Sequence, residues 1–198
     1  MLHHAFQNKL IETGVDEAGR GCFAGPVVAA AVILDKSFEH PSLNDSKQVT
    51  ARQRENLRQI IEVKAISYAV AVIDVPTIDE INILNATYRA MNQAVNSLKL
   101  RPQLVLVDGN RFINETGIKS ICIIKGDEQY LSIAAASILA KTYRDEYMRK
   151  LDRHHPRYGW SKNKGYPTPG HKEAIARFGI TEHHRKSFNL NEQLKLFP

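Results

Sequence analysis

The chain has 198 residues, 43% of them hydrophobic and 24% charged, with a formal net charge of +6. This is the composition of a globular protein with a buried core, and no run approaches the ~18 apolar residues that a membrane span needs. The only cysteines, Cys22 and Cys122, lack CxxC spacing, which argues against a disulfide framework or structural zinc and fits the cytoplasm.

The start, MLHHAFQNKLIETG, has neither the charged opening nor the apolar centre of a signal peptide. IETGVDEAG reads as a strand running into a turn, and VVAAAVIL (27–34) as a buried strand. SFEHPSLNDSKQV is a loop. Thr50 followed by Gln53 forms a capping-box pattern, predicting a helix to about Val63. AISYAVAVIDV is a strand, and TIDEINILNATYRAMNQAVNSLK one long amphipathic helix. LVLVDGN is a buried strand ending at Asp108, and ICIIKGD another ending near Asp127. A helix is predicted from about Leu131 to Leu151, then a Gly/Pro/Tyr-rich loop over 154–170, a shorter helix after Gly170 and a polar tail with an apolar end. Strands alternating with helices predict one α/β domain with a central mixed sheet, whose sites form beyond strand ends.

The acids fit that geometry. Asp16, Asp108 and Asp127 each follow an apolar run, and Glu17 adjoins Asp16. Carboxylates gathered in a cleft are costly unless protonated or paired with cations, and hard ions such as Mg²⁺ prefer oxygen ligands. Two such ions can drive phosphodiester hydrolysis. Residues 16 and 17 of a regular strand point to opposite faces, so one must lie past the strand end or the strand must bulge. Gly19 and Gly21 make such a turn cheap. For any one acid the alternative is a solvated strand-end carboxylate.

The net charge is concentrated. Lys141 to Lys172 holds nine Lys/Arg and three acids, an excess equal to that of the whole chain. Such a segment is either a solvated face or a stripe that follows a polyanion.

Seven stretches from 14 to 188 lie in an order that resembles bacterial type 2 ribonuclease H, the ribonuclease HII family: GVDEAGRGCFAGPV, LNDSKQVTARQR, IDEINILNATYRAM, LVDGNR, IIKGDEQYLSIAAASILAKTYRD, HPRYGWSKNKGYPTPGH and TEHHRKSF. The adjacent Asp–Glu pair separates it from type 1 enzymes, and the Gly-Arg-Gly from type 3. Tyr143 departs from the pattern, where smaller residues are usual. The resemblance implies a ribonuclease H-like fold: a central mixed β-sheet flanked by helices, with a C-terminal helical extension over about 170–190 in a single domain spanning 1–198. It implies a monomeric endoribonuclease using Mg²⁺ or Mn²⁺, in a two-metal mechanism, on RNA–DNA hybrids and on single ribonucleotides in duplex DNA. The products would carry 3′-hydroxyl and 5′-phosphate ends, with roles in removing ribonucleotides and RNA primers. The four catalytic, metal-holding acids carry over onto Asp16, Glu17, Asp108 and Asp127.

It further implies that Gly19, Arg20 and Gly21 approach the sugar–phosphate backbone, where main-chain groups reach a 2′-hydroxyl, and that Tyr166 packs on the sugar beside the ribonucleotide. Without the resemblance, Gly-Arg-Gly reads as an ordinary turn. Lys47 is either a helix-entry residue or a phosphate contact. Ser137 and Lys141 share a helical face, with Lys141 a candidate phosphate contact and Ala134–Ala136 packing residues. The pairs His154–His155 and His183–His184 do not share helix faces, so surface or structural roles are expected rather than metal; Arg185 and Ser187 are expected to be structural. The rival functions are a different carboxylate-metal DNA nuclease and a hybrid-binding protein without chemistry. Finally, residues 193–197 read QLKLF, which looks like the short peptide that docks bacterial proteins on the sliding clamp. Gln193 would bond at the pocket rim while Leu194, Leu196 and Phe197 fill it. The alternative is a last helical turn on the enzyme's own core.

Overall fold

The computed structural model describes residues 2–45 and 49–188. A five-stranded mixed sheet forms its centre: β1 (Glu12–Ala18), β2 (Val27–Ile33), β3 (Ser67–Ile73), β4 (Leu104–Asp108) and β5 (Ser120–Ile123), in the order β3-β2-β1-β4-β5. The first three strands form an antiparallel meander, while β4 runs parallel to β1 and β5 parallel to β4. Helices follow at α1 (Ala51–Lys64), α2 (Val75–Ile81), α3 (Ile83–Asn96), α4 (Leu131–His154), α5 (Trp160–Asn163) and α6 (Pro169–Phe178).

Period-two alternation gives the sheet two apolar faces. Val15, Ala29, Ala31, Val105 and Val107 face α3, meeting Ala90, Met91 and Ala94. Ala30 and Val32 face α4, meeting Ala134, Ala135 and Ala136, with α1 contributing Leu57 and Ile61. The packing role expected for the alanine run holds. The central β1 lies so close to α4 that a Cβ at Gly14 would stand 2.2 Å from the Ser132 carbonyl carbon. A third cluster, Phe23, Met148, Tyr158, Trp160, Ala174 and Ile175, fastens α5 and α6 to the far end of α4. Among the described residues, no helix is long and apolar enough to cross a membrane.

The Thr50 capping box is present as expected: Gln53 N donates to Thr50 Oγ1 at 3.3 Å and Thr50 N to Gln53 Oε1 at 2.8 Å. The single helix expected over 77–99 is two. Asn82 takes φ +65 and its Oδ1 accepts from Leu84 N and Asn85 N, so one residue ends α2 and caps α3. Asp74 starts α2 earlier than expected, accepting from Thr77 N. The segment 154–170 is less of a loop than expected: α4 continues to His154, and 3₁₀ turn Pro156–Tyr158 and α5 follow.

Candidate active site

The parallel ladder of β1 and β4 ends with Val15 opposite Val107. The next residues are Asp16 and Asp108, so the two aspartates stand side by side near the carboxyl ends of adjacent strands, both on the α4 face. Glu17 is the next residue of β1. Both acids of the pair lie within the strand, opposite Ala30 and Ala29, so the expected bulge, or exit of one acid past the strand end, does not occur. Alternation sends Asp16 toward α4 and Glu17 to the opposite face. Asp127 lies in 3₁₀ turn Gly126–Glu128, beyond β5, which ends at Ile123 rather than near Asp127. Gly126 N donates to Asp108 Oδ1 at 2.7 Å, which ties that turn to the aspartate pair.

Burial drives the electrostatics. It raises Asp16 well above the usual carboxylate range, and repulsion from Glu17 and Asp108 adds to the rise; the Ser137 hydroxyl and the Glu17 main chain oppose it. Glu17 N donates to Asp16 Oδ1 at 2.7 Å. Burial also raises Glu17, opposed by Arg20, whose Nη1 lies 3.1 Å from Glu17 Oε1. Ser137 is a site residue that sequence reasoning had placed only on the face of Lys141.

Among the described residues, no three His, Cys, Asp or Glu side chains are set closely enough to ligate one ion. The donor set still suits a hard cation. Every acid offers carboxylate oxygen, burial disfavours Asp16 and Glu17 as bare anions, and Mg²⁺ commonly takes one or two protein carboxylates and completes its shell with water and phosphate oxygens.

The Gly-Arg-Gly turn follows directly. Gly19 is buried, at φ +99, while Arg20 and Gly21 are exposed and a side chain at Gly21 would meet nothing within 4 Å. Buried arginines brace the chain behind the turn. Arg144 donates to the carbonyls of Pro26, Ala24 and Lys164 at 3.0, 3.1 and 2.9 Å. Arg185 donates to those of Gly25 and Arg20 at 2.8 and 2.9 Å. The structural role expected of Arg185 is met, and Arg144, counted in the basic stripe, points inward. Phe23 N donates to Gly165 O at 2.8 Å, so the turn and the Tyr166 loop form one surface.

Tyr166 is 40% exposed. Its hydroxyl bonds the Cys22 thiol, and burial raises both groups. Lys141 Nζ lies 5.6 Å from the ring centroid and 2.7 Å from Asp145 Oδ1. Tyr166 and Lys141 are thus brought together beside Cys22 and the turn. Lys47 lies outside the described residues, as do Gln193, Leu194, Leu196 and Phe197.

Comparison with known proteins agrees with this architecture. The family model described as Ribonuclease HII matches residues 13–191. A Ribonuclease HII of Bacteroides thetaiotaomicron is 57% identical over 190 residues, covering 96% of this chain and 95% of the relative. Among solved structures, the ribonuclease H2 of Pyrococcus horikoshii superposes with a TM-score of 0.76 at 27% identity, covering 93% of this chain and 97% of that one. The RNase HII of Archaeoglobus fulgidus, solved in complex with PCNA, gives a TM-score of 0.76 at 29% identity, covering 91% and 96%.

Proposed function

This chain belongs to the ribonuclease HII family, and on that footing we propose that its acid edge cuts the RNA strand of hybrids and also single ribonucleotides embedded in duplex DNA. It is a ribonuclease H, an endonuclease acting on RNA–DNA hybrids, of a family that depends on divalent metal. The observation that carries the finer reading is the continuity of two features. Asp16 and Asp108 follow the last paired residues of the β1–β4 ladder, and the turn leaving β1 is bonded to the loop bearing Tyr166.

Asp16, Glu17, Asp108 and Asp127 would hold Mg²⁺ or Mn²⁺. Two such ions, when bound, would supply the Lewis acidity for attack of water on the phosphodiester and departure of the 3′ oxygen, which would leave 3′-hydroxyl and 5′-phosphate ends. The chain does the positioning. Ser137 orients Asp16, and the Gly126 N–H orients Asp108. Arg20 bonds Glu17 through one nitrogen, and its guanidinium, on a half-exposed side chain, has further donors for a phosphate. Exposed Gly21 lets the main chain approach a 2′-hydroxyl, a group that is both donor and acceptor and absent from DNA. Tyr166 presents a ring to the neighbouring sugar, with Lys141 beside it for a phosphate.

The test is incubation with Mg²⁺, and in parallel Mn²⁺, and three duplexes: all DNA, DNA with one ribonucleotide, and a long hybrid. Cleavage of the last two alone is expected. Cutting of the all-DNA duplex would favour a carboxylate-metal DNA nuclease, and tight hybrid binding without cleavage a non-catalytic binder.

We further propose one domain over 1–198 working as a monomer in the cytoplasm, in ribonucleotide and RNA primer removal. The tail QLKLF would dock on a sliding clamp through Gln193, Leu194, Leu196 and Phe197. The RNase HII solved with PCNA supports this reading. A chain truncated before Glu192 should lose clamp binding and keep near wild-type cleavage of a short duplex. Absence of clamp binding in the full chain would end the docking idea.

A further inference from the structure

Beneath the Tyr166 loop lies a buried group of rings that the chemistry above does not use. His171, in the first turn of α6, is fully buried, as are His184 and Trp160. His171 Nδ1 lies 2.9 Å from the Tyr166 carbonyl oxygen. A carbonyl only accepts, so Nδ1 carries the proton and Nε2 is bare. Nε2 accepts from Trp160 Nε1–H at 3.0 Å. His184 Nδ1 accepts from Thr181 N at 2.9 Å, which leaves the His184 proton on Nε2, 3.3 Å from His171 Nε2. Every ring nitrogen of the pair has its role fixed by its partner, and both rings are neutral.

We propose that His171 is a positioning residue for ribose recognition, holding the Tyr166 main chain through Nδ1 while Trp160 and His184 hold its tautomer. The inference rests on the reading of Tyr166 as a ribose-reading residue. The Tyr166 carbonyl takes two bonds, from His171 and from Thr168 N at 2.8 Å, and Tyr166 N donates to Asn163 O at 2.9 Å. The main chain is therefore pinned while the ring stays part-exposed. His171 is itself pinned: its N–H donates to the capping hydroxyl of Thr168 at 3.3 Å. Burial lowers the pKa of both histidines, and the start of α6 adds the positive end of a helix, which also disfavours a cation at His171. The titratable groups facing the pair are His155, His183, Tyr158 and Tyr166, with Glu182 beside His183, Lys172 next to His171 and Arg185 next to His184.

Two amide variants separate positioning from bulk stability. Asn at 171 puts its NH₂ near the place of Nδ1 and retains the bond to Tyr166; Gln reaches toward Nε2 and loses it. The readout is kcat/KM on the single-ribonucleotide duplex divided by that on the long hybrid. His171→Gln should lower this ratio about tenfold, the worth of roughly one buried hydrogen bond, and His171→Asn should stay within about twofold of wild type. Tyr166→Ala runs beside them. If it leaves the ratio unchanged, the ribose reading of Tyr166 fails and the inference with it. If it lowers the ratio while His171→Gln and His171→Asn behave alike, the inference alone fails. A third variant covers the case where His171→Gln does not fold. His171→Leu keeps most of the bulk of the ring but has no donor for the Tyr166 carbonyl. Its ratio should fall about tenfold, as for His171→Gln. A ratio equal to that of His171→Asn would overturn the proposal.

Discussion

The guanidinium of Arg144 fills the space that a side chain at residue 19 would need. A Cβ built on Gly19 would lie 2.0 Å from Arg144 Nε, and the backbone there has φ +99. Two glycines that look equivalent in Gly-Arg-Gly thus serve different ends. Gly19→Ala should destabilise the fold by about 2 kcal/mol or more, from the left-handed backbone and from displacing a buried guanidinium that holds three carbonyls. Gly21→Ala should change stability by no more than about 0.5 kcal/mol, yet weaken substrate binding, because its side chain faces open space where the sugar–phosphate backbone would approach. Urea unfolding of both variants, beside hybrid-binding titrations, checks the contrast. Equal stability losses would contradict it.

Asp16→Asn should abolish cleavage and leave the metal-free protein as stable as wild type or more so. The sign follows from the raised Asp16 pKa. A carboxyl whose pKa is higher folded than unfolded favours the fold fully below the unfolded value, near 4, and that contribution is lost as pH rises through the folded value. At neutral pH the neutral amide escapes this cost and can still accept from Glu17 N. Metal reverses the order: at a hundred times its dissociation constant, Mg²⁺ or Mn²⁺ should stabilise wild type by about 2.7 kcal/mol, and Asp16→Asn by much less. Thermal melts with and without metal, from pH 4 to 8, read both effects. Near-normal turnover in the variant would remove Asp16 from the metal site.

Much of this was legible in the sequence because period and capping are local. The strands, the Thr50 cap and the strand-end aspartates all follow from residues a few positions apart. Asn82 and Asp127 were not, since one positive φ breaks a helix whose apolar spacing continues across it, and a 3₁₀ turn is invisible to periodicity. The contacts that assemble the site are long-range. Nothing near Arg144 or Arg185 in sequence says that each holds carbonyls of residues 20–26. Tyr143, the departure from the family pattern, has a local explanation visible only in three dimensions. The Arg58 guanidinium sits 3.8 Å from its ring centroid and bonds Glu62 and Glu146 as well. The ring completes a surface ion network on α1 and α4, away from the acids.

Acid should loosen the C-terminal part of the molecule first. Burial, with the neighbouring His171 and His183, lowers His184 to about 4. Its contribution is intact above the ordinary histidine value of about 6.5 and is lost as pH falls from there toward 4, since the unfolded chain takes the proton first. The full loss is about 3 kcal/mol. Asp16 acts in the opposite sense over acid pH, so the comparison must be between proteins rather than between pH values alone. His184→Gln, which cannot titrate, should show a shallower fall in unfolding free energy between pH 6.5 and 4 than wild type. Parallel curves would mean that His184 is already protonated in the folded protein.

Charge counting over 141–172 overstates the surface available to a polyanion. Arg144 is buried and Lys141 is paired with Asp145. Lys164 bonds the Ser161 carbonyl and is half-buried, with its pKa lowered by that burial. Lys162, Arg153 and Arg157 are exposed. The two lysines flanking Asn163 should therefore behave differently. Lys162→Ala should flatten the log K against log salt slope for duplex binding by roughly 0.9, one phosphate contact on a B-form duplex. Lys164→Ala should change the slope less, and should act chiefly through the loop, because the Lys164 carbonyl is one of the three that Arg144 holds and its backbone takes φ +52. Binding isotherms from 50 to 200 mM salt, a range in which phosphate contacts strongly affect affinity, measure both slopes. An unchanged slope in Lys162→Ala would move the polyanion path off this loop, and equal slopes in the two variants would mean that Lys164 leaves Ser161 to meet the phosphate.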